Sequence, residues 1–460
     1  MAAPLPSGPE AVRAAHARLT GAFTLDAVPP VAARRDALRR LRAAVGAARD
    51  DLLAALDADF GPRAEVESLT AELILVRDAL AHAARDLPRW AAPRRARVLK
   101  PLPGRTEVWA EPKGAVAILS PWNYPVQLAL MPLVGALAAG NRVLLKPSER
   151  APASAEALAR LVADTFAPDE VAAVTGDVET ARAVTALPWA HLFYTGSTAV
   201  GREVARRAAE TLTPVTLELG GRSPAVALPG ATPARHAPAV AWGAFLNGGQ
   251  TCVACDHLWV PRDRMEEWAE ALLTAARGVR GRDRTAPIDA RAAERARALR
   301  DDAVARGATL RSTDPDDPLA PALLLDPPAE ADVMGEEVFA PLLPVIPYDD
   351  PEAAVAANRG ETPLAAYAFD DDPARARALL ARLRSGGGAV NAAVVQIVAG
   401  DLPFGGIGTS GQGAYHGHRG FREFSHERAV FVAARGPWAR LMAPPYPAAA
   451  RRLFRRLAGG

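Results

Sequence analysis

Cysteine and lysine are almost missing from this sequence: 460 residues carry two cysteines, Cys252 and Cys255, and three lysines, Lys100, Lys113 and Lys146. Two thiols cannot staple a scaffold, and a structural zinc would need two further ligands with recognisable spacing, for which there is no second cysteine pair. The remaining basic residues are all arginine, a bias that, with the abundance of alanine, reflects codon composition rather than function. An excess of charge of either sign is also missing. The net charge is +2 with acids and bases interspersed, so nucleic acid and anionic membranes are not implied as partners.

The N-terminus lacks the basic start, apolar run and small-residue cleavage site of a secretory signal, which points to the cytoplasm, where both thiols stay reduced. A stretch without charge does occur, from Gly114 to Asn141. Yet Pro121, Pro125 and Pro132, with Asn123 and Gln127 among them, would leave polar groups unsatisfied in lipid. The expectation is a buried strand, a loop and a helix.

What is there in quantity is apolar surface, half of all residues, in a chain long enough for two or three domains. The first hundred residues read as helices, with Arg35 to Ala58 as one helical run that "DADFGPRAE" breaks. Beyond Glu111 short apolar runs alternate with helices: "GAVAILS", "RVLLKPS", "EVAAVTG", "HLFYTGS" and "PVTLELGG" as strands. This is the pattern of a parallel sheet covered on both faces. After Gly221 the alternation resumes through "SPAVALPG", "DHLWVP" and "LPVIPYDD", predicting a second α/β unit. The glycine-rich "DLPFGGIGTSGQGAYHGHRGFREFSHERAVFV" is no core of its own and is expected to return across a boundary.

Four segments could carry chemistry. In "NGGQTCVACD" the glycines allow close approach of backbone to a ligand, and a Cys252 thiolate would be a nucleophile. The same residues also fit core filler, half a zinc site or a redox dithiol. Glu218 ends an apolar strand before two glycines, where partial desolvation would suit a general base; a solvated strand end is the alternative. Asn123, between two prolines, has an amide that could donate to an oxyanion or merely close a turn. Lys146 and Glu149 follow a strand and could grip ribose hydroxyls. The turn from Gly196 to Gly201 opens a helix whose free amides suit a pyrophosphate, although it is neither G-x-G-x-x-G nor a P-loop.

In this order the segments "SPWNYP", "GALAAGNRVLLKPSE", "FYTGSTAVG", "TLELGGRSP", "GQTC", "EEVFAP" and "LPFGGIGTSGQGAYHG" ending in "FSH" closely resemble the aldehyde dehydrogenase superfamily, class 3 branch. With "DADFGPRAEVE" and "PPYP" the likeness extends over nearly the whole chain. The resemblance implies NAD(P)-dependent oxidation of an aldehyde to the acid. Cys252 would be the nucleophile, Asn123 an oxyanion donor and Glu218 the base that hydrolyses the thioester. Trp122, Lys146, Glu149, Gly196, Ser197, Gly201, Glu337 and Phe339 would contact NAD or NADP.

It further implies an aldehyde dehydrogenase-like α/β fold: a Rossmann-type cofactor domain (residues 1–91 and 113–221), a catalytic domain (222–395), an oligomerisation element (92–112 and 396–430) and a tail (431–460). A homodimer without metal is expected. Tyr124, Val126, Leu128, Met131 and Phe404 favour aromatic or medium-to-long aliphatic aldehydes, coniferyl aldehyde included. Three positions depart from the family pattern. Arg222 stands for lysine, Ala340 for glycine, and Cys255 for proline, where it could form a reversible disulfide with Cys252. The tail has the makings of a short basic amphipathic helix, with Leu453, Phe454 and Leu457 opposed by Arg451, Arg452, Arg455 and Arg456.

Overall fold

The computed structural model describes residues 5–26, 28–96, 104–435 and 443–459. Parts of the expected oligomerisation arm and of the tail thus lie outside the described residues. The strands are β1 (Arg94–Ala96), β2 (Gly104–Pro112), β3 (Ala115–Leu119), β4 (Arg142–Lys146), β5 (Val171–Ala173), β6 (His191–Thr195), β7 (Val215–Glu218) and β8 (Pro224–Ala227). There follow β9 (His257–Pro261), β10 (Thr309–Ser312), β11 (Ala322–Leu325), β12 (Leu342–Tyr348), β13 (Ala365–Phe369), β14 (Gly387–Val390), β15 (Gly411–Gln412) and β16 (Ser425–Ala433).

The first sheet runs β15-β7-β6-β3-β4-β5, parallel except for β15. Its strands alternate sides as a pleat requires. Val116, Ile118, Val143, Leu145 and Phe193 face a core shared with the helices Val31–Ala47, Leu75–Trp90 and Gln127–Ala139, whereas Ala117, Leu119, Leu144, Leu192 and Leu217 face the helix Gly8–Leu25 and the helix Thr198–Glu210. Every residue of Gln127–Ala139 is buried, which is why the uncharged stretch around it is core and not membrane. The second sheet runs β10-β11-β12-β9-β8-β13-β14, parallel except for β10, with the helices Pro233–Phe245 and Met265–Ala276 packed on one face. The architecture is the expected α/β one.

The helical run expected from Arg35 to Ala58 is two helices, Val31–Ala47 and Arg49–Phe60, broken at Ala48. Spacing alone hides the break because leucines and valines keep their period across it. The glycine-rich return does cross between layers: β15 adds to β7 with Gly411 opposite Glu218, and β16 pairs along all of β2. Among the described residues the resulting three-stranded antiparallel sheet runs β1-β2-β16, with β16 at one edge. The tail forms the helix Ala448–Leu457, and among the described residues no helix is long and apolar enough to cross a membrane.

Candidate active site

Register decides what meets at the carboxyl edge of the first sheet. Leu119 pairs with Lys146 and Tyr194, and Thr195 with Glu218. The loops that follow therefore emerge together, carrying Trp122 and Asn123, Glu149, the Gly196 to Gly201 turn, and Glu218 itself. Such an edge is where ligands bind in open α/β sheets. The second sheet presents its opposite end, because Cys252 precedes β9, Glu337 and Phe339 precede β12, and those two strands are neighbours.

The cysteine loop is built by conformation. The helix Pro233–Phe245 ends and Asn247, Gly248 and Gly249 follow at φ of 56°, 63° and 75°. At Gly249 a Cβ would lie 2.1 Å from the Ala340 carbonyl oxygen, so no larger residue fits. Asn247, which has a Cβ, is held by its side-chain amide, which donates to the carbonyls of Asn123 at 2.8 Å and Gln250 at 3.3 Å. The Asn123 amide donates back to the Gln250 carbonyl at 3.0 Å, and the Tyr124 and Thr251 hydroxyls bond at 2.7 Å. The Asn123 loop is thus joined to the loop that carries Cys252. One Asn123 N–H is taken by the Gln250 carbonyl, and the other remains to donate.

Three acids define the electrostatics. Both Glu218 carboxylate oxygens are buried without a hydrogen-bond partner, and burial, then the charge of Glu423, holds this carboxyl well above the ordinary range. Glu337 accepts from the Gly221 amide at 3.3 Å; burial, then Asp256, pushes it up to about 8. The Cys252 thiol is pushed up to about 12 by burial and by the carboxylates of Glu337 and Glu218, while the amides of Cys252 and Val253 pull the other way. At neutral pH the resting thiol is therefore protonated. Iodoacetamide should label one residue per chain, Cys252, at a rate climbing roughly tenfold per pH unit between pH 7 and 9. Mass spectrometry of the labelled peptide checks this, and a plateau by pH 8 would contradict the raised value. Cys255 is 2% exposed, with its own pKa raised by burial, and both cysteines are free.

The residues expected to hold a dinucleotide lie at the carboxyl ends of the first sheet's strands, on the loops that follow and on the segment before β12, and some of them border two clefts. Lys146 is buried, with its ammonium on the Glu149 carboxylate at 2.7 Å; burial alone would raise Glu149, but that bond and the charge hold it below its usual value. Ser197 caps the helix Thr198–Glu210, and Gly201 lets that helix press on Leu219, where a Cβ would come within 2.5 Å. Glu149 borders a cleft of about 680 Å³. Trp122, Glu337 and Phe339 line another of about 840 Å³, with the Trp122 and Phe339 rings 5.6 Å apart, edge to face. Phe339 itself is at φ 46°, so the left-handed residue of that turn lies one place before Ala340. Clefts of this size, amides at a helix start and a buried lysine holding an exposed glutamate where ribose hydroxyls could reach it fit a nicotinamide dinucleotide.

Sequence reading missed several contributors. Arg295 donates to the carbonyls of Val338 at 2.6 Å and Glu337 at 2.5 Å, and Asp256 accepts from the Val338 amide at 2.8 Å, fixing the segment that bears Glu337 and Phe339. Asp256 also faces Arg222 at 3.5 Å. Arg150 lies 4.4 Å over the Trp122 ring and pairs with Asp289 at 2.6 Å across the cleft that Trp122 lines. Buried Tyr415 and His416 sit beside Phe404, at ring distances of 5.6 and 5.2 Å, and burial first, then the charges of Glu218 and Cys252, hold the Tyr415 phenol well above its ordinary range. Tyr124, Val126, Leu128 and Met131 are buried as expected of apolar side chains, and Tyr124 is tied to the cysteine loop. Among the described residues no cluster of His, Cys, Asp or Glu has metal-ligand geometry.

A model described as the aldehyde dehydrogenase family matches residues 7–430. The chain is similar, at 41% identity over 97% of its length and 96% of the other's, to a probable coniferyl aldehyde dehydrogenase of Pseudomonas aeruginosa. Among solved structures, the substrate-bound state of a Staphylococcus aureus AldH shares the fold at a TM-score of 0.91 and 29% identity, covering 97% of this chain and 99% of that one. A Mycobacterium tuberculosis aldehyde dehydrogenase complexed with NAD+ follows at 0.84 and 28%, covering 94% and 92%.

Proposed function

Because the chain belongs to the aldehyde dehydrogenase family, and so oxidises an aldehyde to the carboxylic acid with NAD or NADP, we propose that the reaction runs through Cys252, Asn123 and Glu218. The observation that carries the assignment is the joining of the two loops: the Asn123 amide is hydrogen-bonded to the residue two before the thiol. Cys252, once deprotonated, adds through sulfur to the aldehyde carbon. The oxyanion so formed receives the free Asn123 N–H and the Cys252 amide. The coenzyme, when bound, would supply the hydride acceptor for oxidation of the thiohemiacetal on Cys252 to a thioester. Glu218 as carboxylate then takes a proton from water, whose hydroxyl attacks the thioester and releases the acid and the thiol. Its lack of any hydrogen-bond partner leaves both oxygens available for that water.

Lys146 and Glu149 would hold the cofactor at one ribose, Gly196, Ser197 and Gly201 at the phosphates, and Glu337, Phe339 and Trp122 toward the nicotinamide. Residues 1–91 and 113–221 form the cofactor domain and 222–395 the catalytic domain. Residues 92–112 with 396–430 are the bridging element, whose last strand continues to Ala433. The edge position of β16 among the described residues is compatible with a homodimer, and the absence of a membrane-spanning helix among the described residues is compatible with a cytoplasmic location.

The apolar surroundings of Phe404, which packs against both large cores, and a relative named for coniferyl aldehyde support aromatic or medium-to-long aliphatic substrates. Initial rates with benzaldehyde, coniferyl aldehyde, decanal and a short dicarboxylic semialdehyde, each with NAD and with NADP, test this. The first three are expected to exceed the semialdehyde in kcat/KM by roughly tenfold or more, each buried methylene contributing about 0.8 kcal/mol. A preference for the semialdehyde would reject the substrate class.

A further inference from the structure

Charge buried behind the active-site loops has no place in the chemistry above. The Arg63 and Glu72 side chains are fully buried and pair at 2.7 Å. The other Glu72 oxygen accepts from the amides of Val126 at 2.9 Å and Gln127 at 2.8 Å, the first turn after the Asn123 loop. The Arg63 guanidinium lies 4.3 Å from the Phe60 ring centre and 5.4 Å from that of Tyr124. Five residues before Glu72, Glu67 accepts from the Asn247 amide at 3.0 Å and the Thr285 hydroxyl at 2.9 Å. One carboxylate therefore grips the Asn123 loop and the other the cysteine loop.

A local irregularity makes this possible. Residues Ser68–Ile74 form a π-helical turn, closed by i→i+5 bonds. A regular helix would place residues five apart about 140° from each other around its axis. The wider winding turns Glu67 and Glu72 toward two loops that themselves touch through Asn123 and Asn247. Burying an ion pair is no economical way to stabilise a fold, since an apolar replacement of similar volume often does as well. What the pair supplies is direction: fixed acceptors for amides in two different loops.

We propose that Arg63, Glu67 and Glu72 are positioning residues that set the oxyanion donor Asn123 against the Cys252 loop. The inference rests on the assignment of Asn123 made above. It is tested by single-turnover formation of reduced NAD with benzaldehyde in wild type, Glu72→Gln, Asn123→Ala and the double variant, with melting temperatures measured alongside.

Glu72→Gln is expected to slow the single turnover roughly 10- to 100-fold, as a misplaced catalytic group does. In the Asn123→Ala background the same change should slow nothing further, because the group it positions is gone. Effects that multiply would overturn the scaffold, as would a lowered melting temperature with an unchanged single-turnover rate. An Asn123→Ala variant as fast as wild type would instead remove the oxyanion role, and the scaffold with it. Since unpairing buried Arg63 can unfold the chain, Glu67→Ala, at the partly exposed end, is the second variant, with the same non-additivity expected.

Discussion

Cys252→Ala is expected to lose aldehyde oxidation by roughly 10⁴-fold or more, the scale on which enzymes lose activity with their nucleophile. Folding should survive. The bonds that shape the loop use the side chains of Asn123, Tyr124, Asn247, Gln250 and Thr251 and leave the thiol out. Cofactor binding, read by fluorescence quenching, should also persist. Cys255 offers no substitute, because it is buried under Gly243, where an added Cβ would come within 3.1 Å of its sulfur. Cys255→Ala should therefore keep near wild-type rates, whereas a dithiol mechanism would need both residues. Equal loss in the two variants, or more than a hundredth of wild-type activity in Cys252→Ala, would reject the nucleophile assignment.

Glu218→Gln should separate the two halves of the reaction. Sulfur addition and hydride loss do not need this carboxylate, so a rapid burst of reduced cofactor, about one per active site, is expected. Hydrolysis does need it, and steady-state turnover should fall roughly 10²- to 10⁴-fold. In wild type the hydrolytic rate should rise with pH, since the working form is the carboxylate and burial keeps the group protonated far above its usual range. The same variant carries a stability prediction of definite sign. An unfolded glutamate ionises near about pH 4.3, while the folded one keeps its proton to a much higher pH. Wild type therefore loses stability as pH rises from that value through the folded pKa, and Glu218→Gln does not. The melting-temperature difference in favour of the variant should widen from pH 5 to pH 8; a difference constant with pH would show that Glu218 is not held protonated.

The catalytic candidates were legible because each sits at a punctuation mark. Glu218 ends a strand before Gly220 and Gly221, Asn123 lies between prolines, and Cys252 follows two glycines. Parallel strands also announce themselves as short apolar runs, so the sheets emerged from the pattern. Arg63, Glu67 and Glu72 did not. Charged residues in "GPRAEVESLTAEL" look like a solvated helix face, and their burial depends on partners at Val126, Gln127, Asn247 and Thr285 that only folding brings near. The left-handed Asn247 was hidden for the same reason, since its conformation is held by those distant bonds. Arg150 and Asp289 belong to loops of different sheets, and no local signal relates them.

That last pair spans the cleft lined by Trp122, Glu337 and Phe339, the cleft proposed above to take the nicotinamide end of the coenzyme. Its two side chains are 39% and 35% exposed, and such pairs are worth about 0.2 to 1 kcal/mol. At that strength the clasp is undone in roughly one molecule in six to nearly one in two at any instant, so it hinders passage without barring it. Its hold weakens further as added electrolyte screens the charges. The residence time of bound coenzyme should accordingly shorten with ionic strength, making the background salt of an assay part of the kinetics it records.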